Sequence, residues 1–194
     1  MTMAPASFNG ILIPLRRFLR DRRGLSAVEF ALLLPVMLTL FLGGTEVTQG
    51  ITVKRKTTIV TRALGDLVAQ DTSITNSEMT TIFQATNSIV APFSSTNLKV
   101  IVSSIAIDAN NAAKIVWSDA TNGATAHAAG LEITLPEGLN QFPNTTLIWV
   151  ESQYDYTPAI GYVITGLVPL KDHVYLRPRL VRCVERDKGA EKFC

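Results

Sequence analysis

Twenty consecutive residues, Leu25 to Gly44, contain a single ionisable side chain, Glu29. As a helix rising about 1.5 Å per residue, such a run crosses the ~30 Å hydrocarbon core of a bilayer, so a membrane is the first constraint on this chain. A cleaved secretory signal has a shorter apolar region closed by small residues of the A-x-A kind, whereas this run leads into Gly43-Gly44-Thr45-Glu46. A retained single span is therefore the expectation. Arg16, Arg17, Arg20, Arg22 and Arg23 crowd just ahead of the run, against only Asp21. That basicity is local, so it points to the cytoplasmic face of a membrane and away from a nucleic-acid surface. Lys54, Arg55, Lys56 and Arg62 follow the span but begin ten residues beyond it. The nearer cluster dominates, which predicts a cytoplasmic N-terminus and an exported remainder.

Residues 1–24 read as a basic leader with an amphipathic piece, "ILIPLRRFLRDRR", suited to anionic headgroups. Val47, Ile51, Val60, Leu64, Leu67 and Val68 then recur mostly at three-to-four-residue spacing without a proline. The helix is thus predicted to continue out of the membrane to Gln70. Gly65 weakens it by about 1 kcal/mol relative to alanine. "QDTSITNSE" supplies turn and helix-start residues, and a second helix is expected over Asn76–Ala91, ended by Pro92. Beyond it the pattern turns β-branched and aromatic. Strands are predicted at Asn97–Ile107, Ala113–Ser118, Leu131–Leu135, Thr145–Thr157 and His173–Val184. Turn-rich links between them let neighbours pair antiparallel. The fold class expected is α+β: a long N-terminal transmembrane helix continuing into an exported module with an antiparallel sheet of four or five strands. Pro178 marks an edge or a bulge in the last strand. The organisation is a leader at 1–24, a helix at 25–70 and an exported α+β domain at 71–194. Cys183 and Cys194 can close a disulfide in an exported chain, with two free thiols as the alternative.

Glu29 needs a reason to be where it is, because a charge at the bilayer centre costs about 2.5–3.5 kcal/mol on insertion scales. Snorkelling toward Arg22 or Arg23 is the plain explanation. The context suggests another. Basic residues, Gly24, Leu25-Ser26-Ala27-Val28, Glu29-Phe30 and an apolar helix follow in that order, and this resembles a type IV prepilin. The resemblance implies a prepilin peptidase cutting between Gly24 and Leu25, with Glu29 fifth in the mature chain. "AVEFALLLPVMLTLFLGGTEVTQG", with Pro35 and the Gly-x-Glu at Gly44 and Glu46, is similar to the N-terminal pattern of the TadE-like family of pilus-assembly proteins. "YDYTP" at Tyr154–Pro158 and "LRPRL" at Leu176–Leu180 are looser likenesses. The resemblance implies a pseudopilin of a tight-adherence (Flp-type) pilus in the bacterial inner membrane, with a periplasmic domain. Its implied partners are other pilins or pseudopilins and the assembly machinery. Glu29 and Phe30 then serve recognition and docking: cutting after Gly24 creates an ammonium group on Leu25, and a carboxylate four residues along the same helix can neutralise it, within one chain or between two. Ala27 and Ala31 form a small-xxx-small pair for a neighbouring helix.

No catalytic signature accompanies this. His127 and His173 are the only imidazoles, and no Cys-x-x-Cys, His-Glu-x-x-His, phosphate loop or G-x-S-x-G elbow is present. The chain is read as a non-enzyme without metal, cofactor or nucleic-acid partner, and both histidines as surface residues. Trp117, Trp149, Tyr154 and Tyr156 fall at strand positions, where they either pack in the core or, for Tyr154 and Tyr156, form an exposed docking stripe. The rival to the pseudopilin reading is an uncleaved, membrane-tethered binding or sensor module.

Overall fold

The computed structural model describes residues 24–158, 160–161, 165–187 and 192–193. The leader therefore lies outside the described residues, apart from Gly24. The first element, α1, is one unbroken helix of 46 residues, Leu25–Gln70, about 69 Å long at 1.5 Å per residue. Its two halves live in different surroundings. From Leu25 to Phe41 every residue is exposed, whereas Val53, Val60, Leu64 and Val68 are fully buried. The apolar half thus contributes nothing to the protein's own core, as expected of a segment that faces lipid. Pro35 lies inside α1 without ending it.

A short strand β1 (Ser73–Thr75) leads into α2 (Asn76–Val90). Thr75 starts α2 with a capping box: its hydroxyl accepts from Glu78 N–H, and its own N–H donates to the Glu78 carboxylate. The far end has no basic residue of its own. Lys56 of α1 supplies one, donating to Ile89 O at 2.9 Å and Ala91 O at 2.7 Å, which satisfies carbonyls the helix leaves free.

Five strands form the main sheet: β2 (Leu98–Ile107), β3 (Ala113–Thr121), β4 (Glu132–Ile133), β5 (Thr145–Tyr156) and β6 (Val168–Leu176), in the order β4-β3-β2-β5-β6, all antiparallel. One face packs on α1 and α2. There Leu98, Val100, Val102, Ile148, Val150, Tyr154 and Tyr156 meet Val60, Leu64 and Val68 of α1 and Met79, Ile82 and Val90 of α2. Alternation puts Trp149, Glu151, Tyr175 and His173 on the other face, where the chain after β3 folds over to close a smaller core of Ile105, Ile107, Ile115, Leu135 and Leu147. A register shift at Ser104/Ile105 lets β3 serve both cores.

Two expectations need correcting. The last predicted strand, His173–Val184, is displaced: β6 begins five residues earlier, at Val168, and stops at Leu176. Pro178 therefore lies beyond the sheet, neither on an edge strand nor at a bulge, and Arg179 N–H instead donates to Ala69 O at the end of α1. The chain then reaches β7 (Glu185–Asp187), which pairs parallel with β1 and antiparallel with β8 (Lys192–Phe193) in a second, three-stranded sheet. Gly65 is the second correction. A Cβ there would stand 2.7 Å from Leu176 Cδ1, 3.3 Å from Val174 Cγ1 and 3.5 Å from Val150 Cγ2. What reads in sequence as a weak point of the helix is the place where helix and sheet come closest.

Candidate functional site

The residues singled out at the start of α1 are all accessible. Gly24 precedes the helix with no side-chain cap, and α1 has no acidic residue in its first turn; among the described residues the first N–H groups of the helix have no side-chain partner. Leu25 and Phe30 are 58% and 59% exposed, and Glu29 lies one turn beyond Leu25, displaced about 6 Å along the axis. Apart from its chain neighbours and the backbone of the helix itself, no described residue stands within 4 Å of a Cβ placed on Gly24. Gly24 and Leu25 are exposed, and a larger side chain at 24 meets no obstacle among the described residues.

Further along, threonines deal with their own polarity. Thr39, Thr48 and Thr52 return their hydroxyl protons to the carbonyls of Pro35, Gly44 and Thr48, four residues back. This hides the hydroxyl and suits a helix passing through or close to lipid. Where α1 leaves the apolar run, Glu46 is 2% exposed. Its carbonyl accepts from the Tyr156 hydroxyl at 3.2 Å. Burial, and next the negative charge of Glu46, push the Tyr156 phenol above its usual range. Tyr154 is buried too, 4% exposed, so the exposed-stripe reading of Tyr154 and Tyr156 fails: both face α1. In sequence Glu46 shows only as part of a pattern, although an acid at the end of an apolar run is itself a signal.

α1 is tied to β6 through Asp172. Burial raises its carboxyl, but the Thr58 hydroxyl, Lys54 at 3.7 Å and the His173 N–H at 3.0 Å outweigh it, and the net direction is down. A second deeply buried charge belongs to the C-terminal segment. Arg186, 2% exposed, donates to Asp119 Oδ2 at 2.8 Å, Ile74 O and Asp187 O at 3.0 Å, and Asn76 Oδ1 at 2.8 Å. It joins β7 to β1, β3 and the start of α2. No sequence motif marks Arg186, because its importance comes from what surrounds it.

On the far face of the sheet His127 Nε2 lies 2.6 Å from Glu151 Oε2 and its ring stacks on Trp149, which stacks on Tyr175. His127 is thus half-buried and structural, holding the covering loop to the sheet, while His173 is exposed as expected. Among the described residues no group of three or more His, Cys, Asp or Glu side chains is placed to hold a metal ion, and no cysteine is free. Cys183 is half-buried beside Val184; Cys194 lies outside the described residues.

α1 is the one helix among the described residues long and apolar enough to cross a membrane. Residues 24–63 match the family model described as TadE-like protein. The match starts at Gly24, covers the whole apolar run and ends inside the packed half of α1. No curated protein and no solved structure matches the chain.

Proposed function

We propose that this TadE-like chain is a single-pass inner-membrane pseudopilin of a tight-adherence (Flp-type) pilus system, processed between Gly24 and Leu25, with its N-terminus in the cytoplasm and its α+β module in the periplasm. The observation that carries the reading is that the family match and the described helix begin together, at Gly24 and Leu25, on a bond with no described residue packed against it. Prepilin peptidase is the partner that cuts there. Cutting leaves an ammonium group on Leu25 beside helix N–H groups that have no side-chain partner among the described residues, a concentration of positive charge that attracts a carboxylate. Glu29, from the same chain or from a neighbouring pilin or pseudopilin, supplies it. Burying either charge alone in hydrocarbon costs several kcal/mol, so pairing fixes the axial register between adjacent helices. Phe30 stays free to pack against the partner helix. The role is non-enzymatic and requires no cofactor. The rigid passage of α1 from membrane into module carries any displacement of the anchor directly to the folded head.

Two variants test this. Gly24→Phe is expected to block maturation, so that the membrane-extracted chain retains its arginine-rich leader by mass spectrometry and pili are lost. Because no described residue packs against that position, folding of the described module is not the cause. Glu29→Ala is expected to be processed or to accumulate, and in either case not to support pili. A wild-type chain beginning at Met1 in piliated cells refutes processing and leaves the tethered-module reading in its place.

A further inference from the structure

β3 is covered along only half of its outer side. β4 pairs with Ala113 and Lys114 alone, and Ile115 then donates to Leu131 O and accepts from Gly130 N–H. From Trp117 to Thr121 β3 pairs with β2 on one side, and among the described residues no strand lies along the other. That stretch carries neither Lys nor Pro, and its one charge, Asp119, is bound to Arg186 at 2.8 Å. Without such guards, a strand edge accepts another strand.

A cleft of about 590 Å³ runs between this part of β3 and α2. Its helical wall is a row of Asn76, Thr80, Gln84 and Asn87, all exposed, and its other wall is the end of β3 with Asn122. The side-chain amides of Gln84 and Asn87 make no hydrogen bond to another described residue. Steps of four residues along α2 advance about 6 Å, close to the roughly 6.6 Å at which an extended chain repeats its backbone groups on one side. From Asn76 to Asn87 the row is about 16 Å long, room for about five extended residues. The charged side chains that line the cleft, Asp119 and Arg186, pair with each other.

We propose that this cleft takes up an extended, uncharged segment of another polypeptide, which adds a strand to β3 and lays its opposite backbone edge along the amides of α2. Two independent features address the same ligand. An extended chain offers N–H and C=O groups on both sides; the β3 edge answers one side, and side-chain amides, each both donor and acceptor, answer the other. With its own charges matched internally, the cleft offers nothing to a charged side chain. A second copy of this chain is the poorer occupant. Val150 and Tyr156 each lie 3.5 Å from a Cβ placed on Gly65 and Gly50, so β5 runs toward the apolar half of α1, and β3 runs the same way because both are antiparallel to β2. Copies anchored in one bilayer through α1 therefore carry β3 in one direction, and the antiparallel pairing used throughout this sheet is closed to them. That exclusion rests on α1 spanning the membrane; the cleft itself does not.

The full chain is placed in phosphatidylethanolamine–phosphatidylglycerol nanodiscs, one copy per disc, and titrated with the coumarin-labelled, uncharged heptapeptide acetyl-Ser-Val-Thr-Ala-Thr-Val-Ser-amide. A saturable rise in anisotropy is expected. Gln84→Ala combined with Asn87→Ala is expected to weaken it at least about tenfold, as is methylation of alternate backbone nitrogens on either side of the peptide. Both substituted residues are exposed on α2, and an unchanged circular dichroism spectrum separates lost binding from lost folding. Binding that ignores methylation on both sides runs through side chains and overturns the proposal, as does an absence of saturation by about 1 mM. Discs holding two copies that no longer take up the peptide assign the edge to a second copy and overturn it as well. A chain that fails to co-purify with the discs overturns the spanning helix instead, and the same titration in its absence still decides the cleft.

Discussion

Replacing Asp119 by alanine isolates a deeply buried ion pair of the module. The Arg186 side chain is 3% exposed and that of Asp119 18%, so the carboxylate has some access to water and the guanidinium almost none. Removing one member of a buried pair costs about 3–5 kcal/mol, because the other charge stays behind without compensation. Arg186 would keep its bonds to Ile74 O, Asp187 O and Asn76 Oδ1, which places the expected loss at the low end, about 3 kcal/mol. The reporter is built in. Trp117 Nε1 donates to Val184 O at 2.8 Å, two residues before Arg186, so its fluorescence follows the same C-terminal segment. Urea unfolding of the full chain in mild detergent, in a Trp149→Phe background with Trp117 as the single indole, measures the difference. Asp119→Ala combined with Arg186→Met is expected to recover part of the loss, since no charge is then stranded. A cost below about 1 kcal/mol, the range of exposed pairs, or a double variant equal to the sum of the singles, refutes this account.

Gly65→Ala is expected to change stability little, since about 1 kcal/mol of helix propensity offsets displacement of the Leu176 methyl. Gly65→Leu is expected to cost about 1–3 kcal/mol by overpacking against Val174 and Val150, read in the same urea titration. Asp155, whose carboxyl is lowered chiefly by Lys99 and then Gln153, and Asp172 both sit below their ordinary 3.8. Their stabilisation is present above that value and is lost as pH falls through their lower folded values. Acid unfolding followed by circular dichroism is expected to show this, with Asp172→Asn giving a shallower loss. Unreduced peptide mapping is expected to find Cys183 joined to Cys194; thiols free to alkylation would remove that pairing.

The early part of the chain could be read directly because its determinants are local. The apolar run, the unbroken 3.6-residue period to Gln70, the Thr75–Glu78 cap and the β-branched runs each depend on neighbours in sequence, and the structure has α1, α2, β2 and β5 within one residue of expectation. The Gly24–Glu29 spacing is equally local, which is why the candidate processing site was visible. Tertiary structure decided the rest. "VPLKDHVYL" becomes β6 because Tyr154 and Tyr156 of β5 offer it a pairing edge over α1, and Pro169 tolerates that edge. β7 forms because Arg186 finds Asp119 across 67 residues. Gly65, weak by propensity, is needed where three side chains of the sheet converge. Propensity and period are properties of adjacent residues; close approach, burial of charge and strand partnership are properties of residues far apart in sequence, and only the folded chain brings them together.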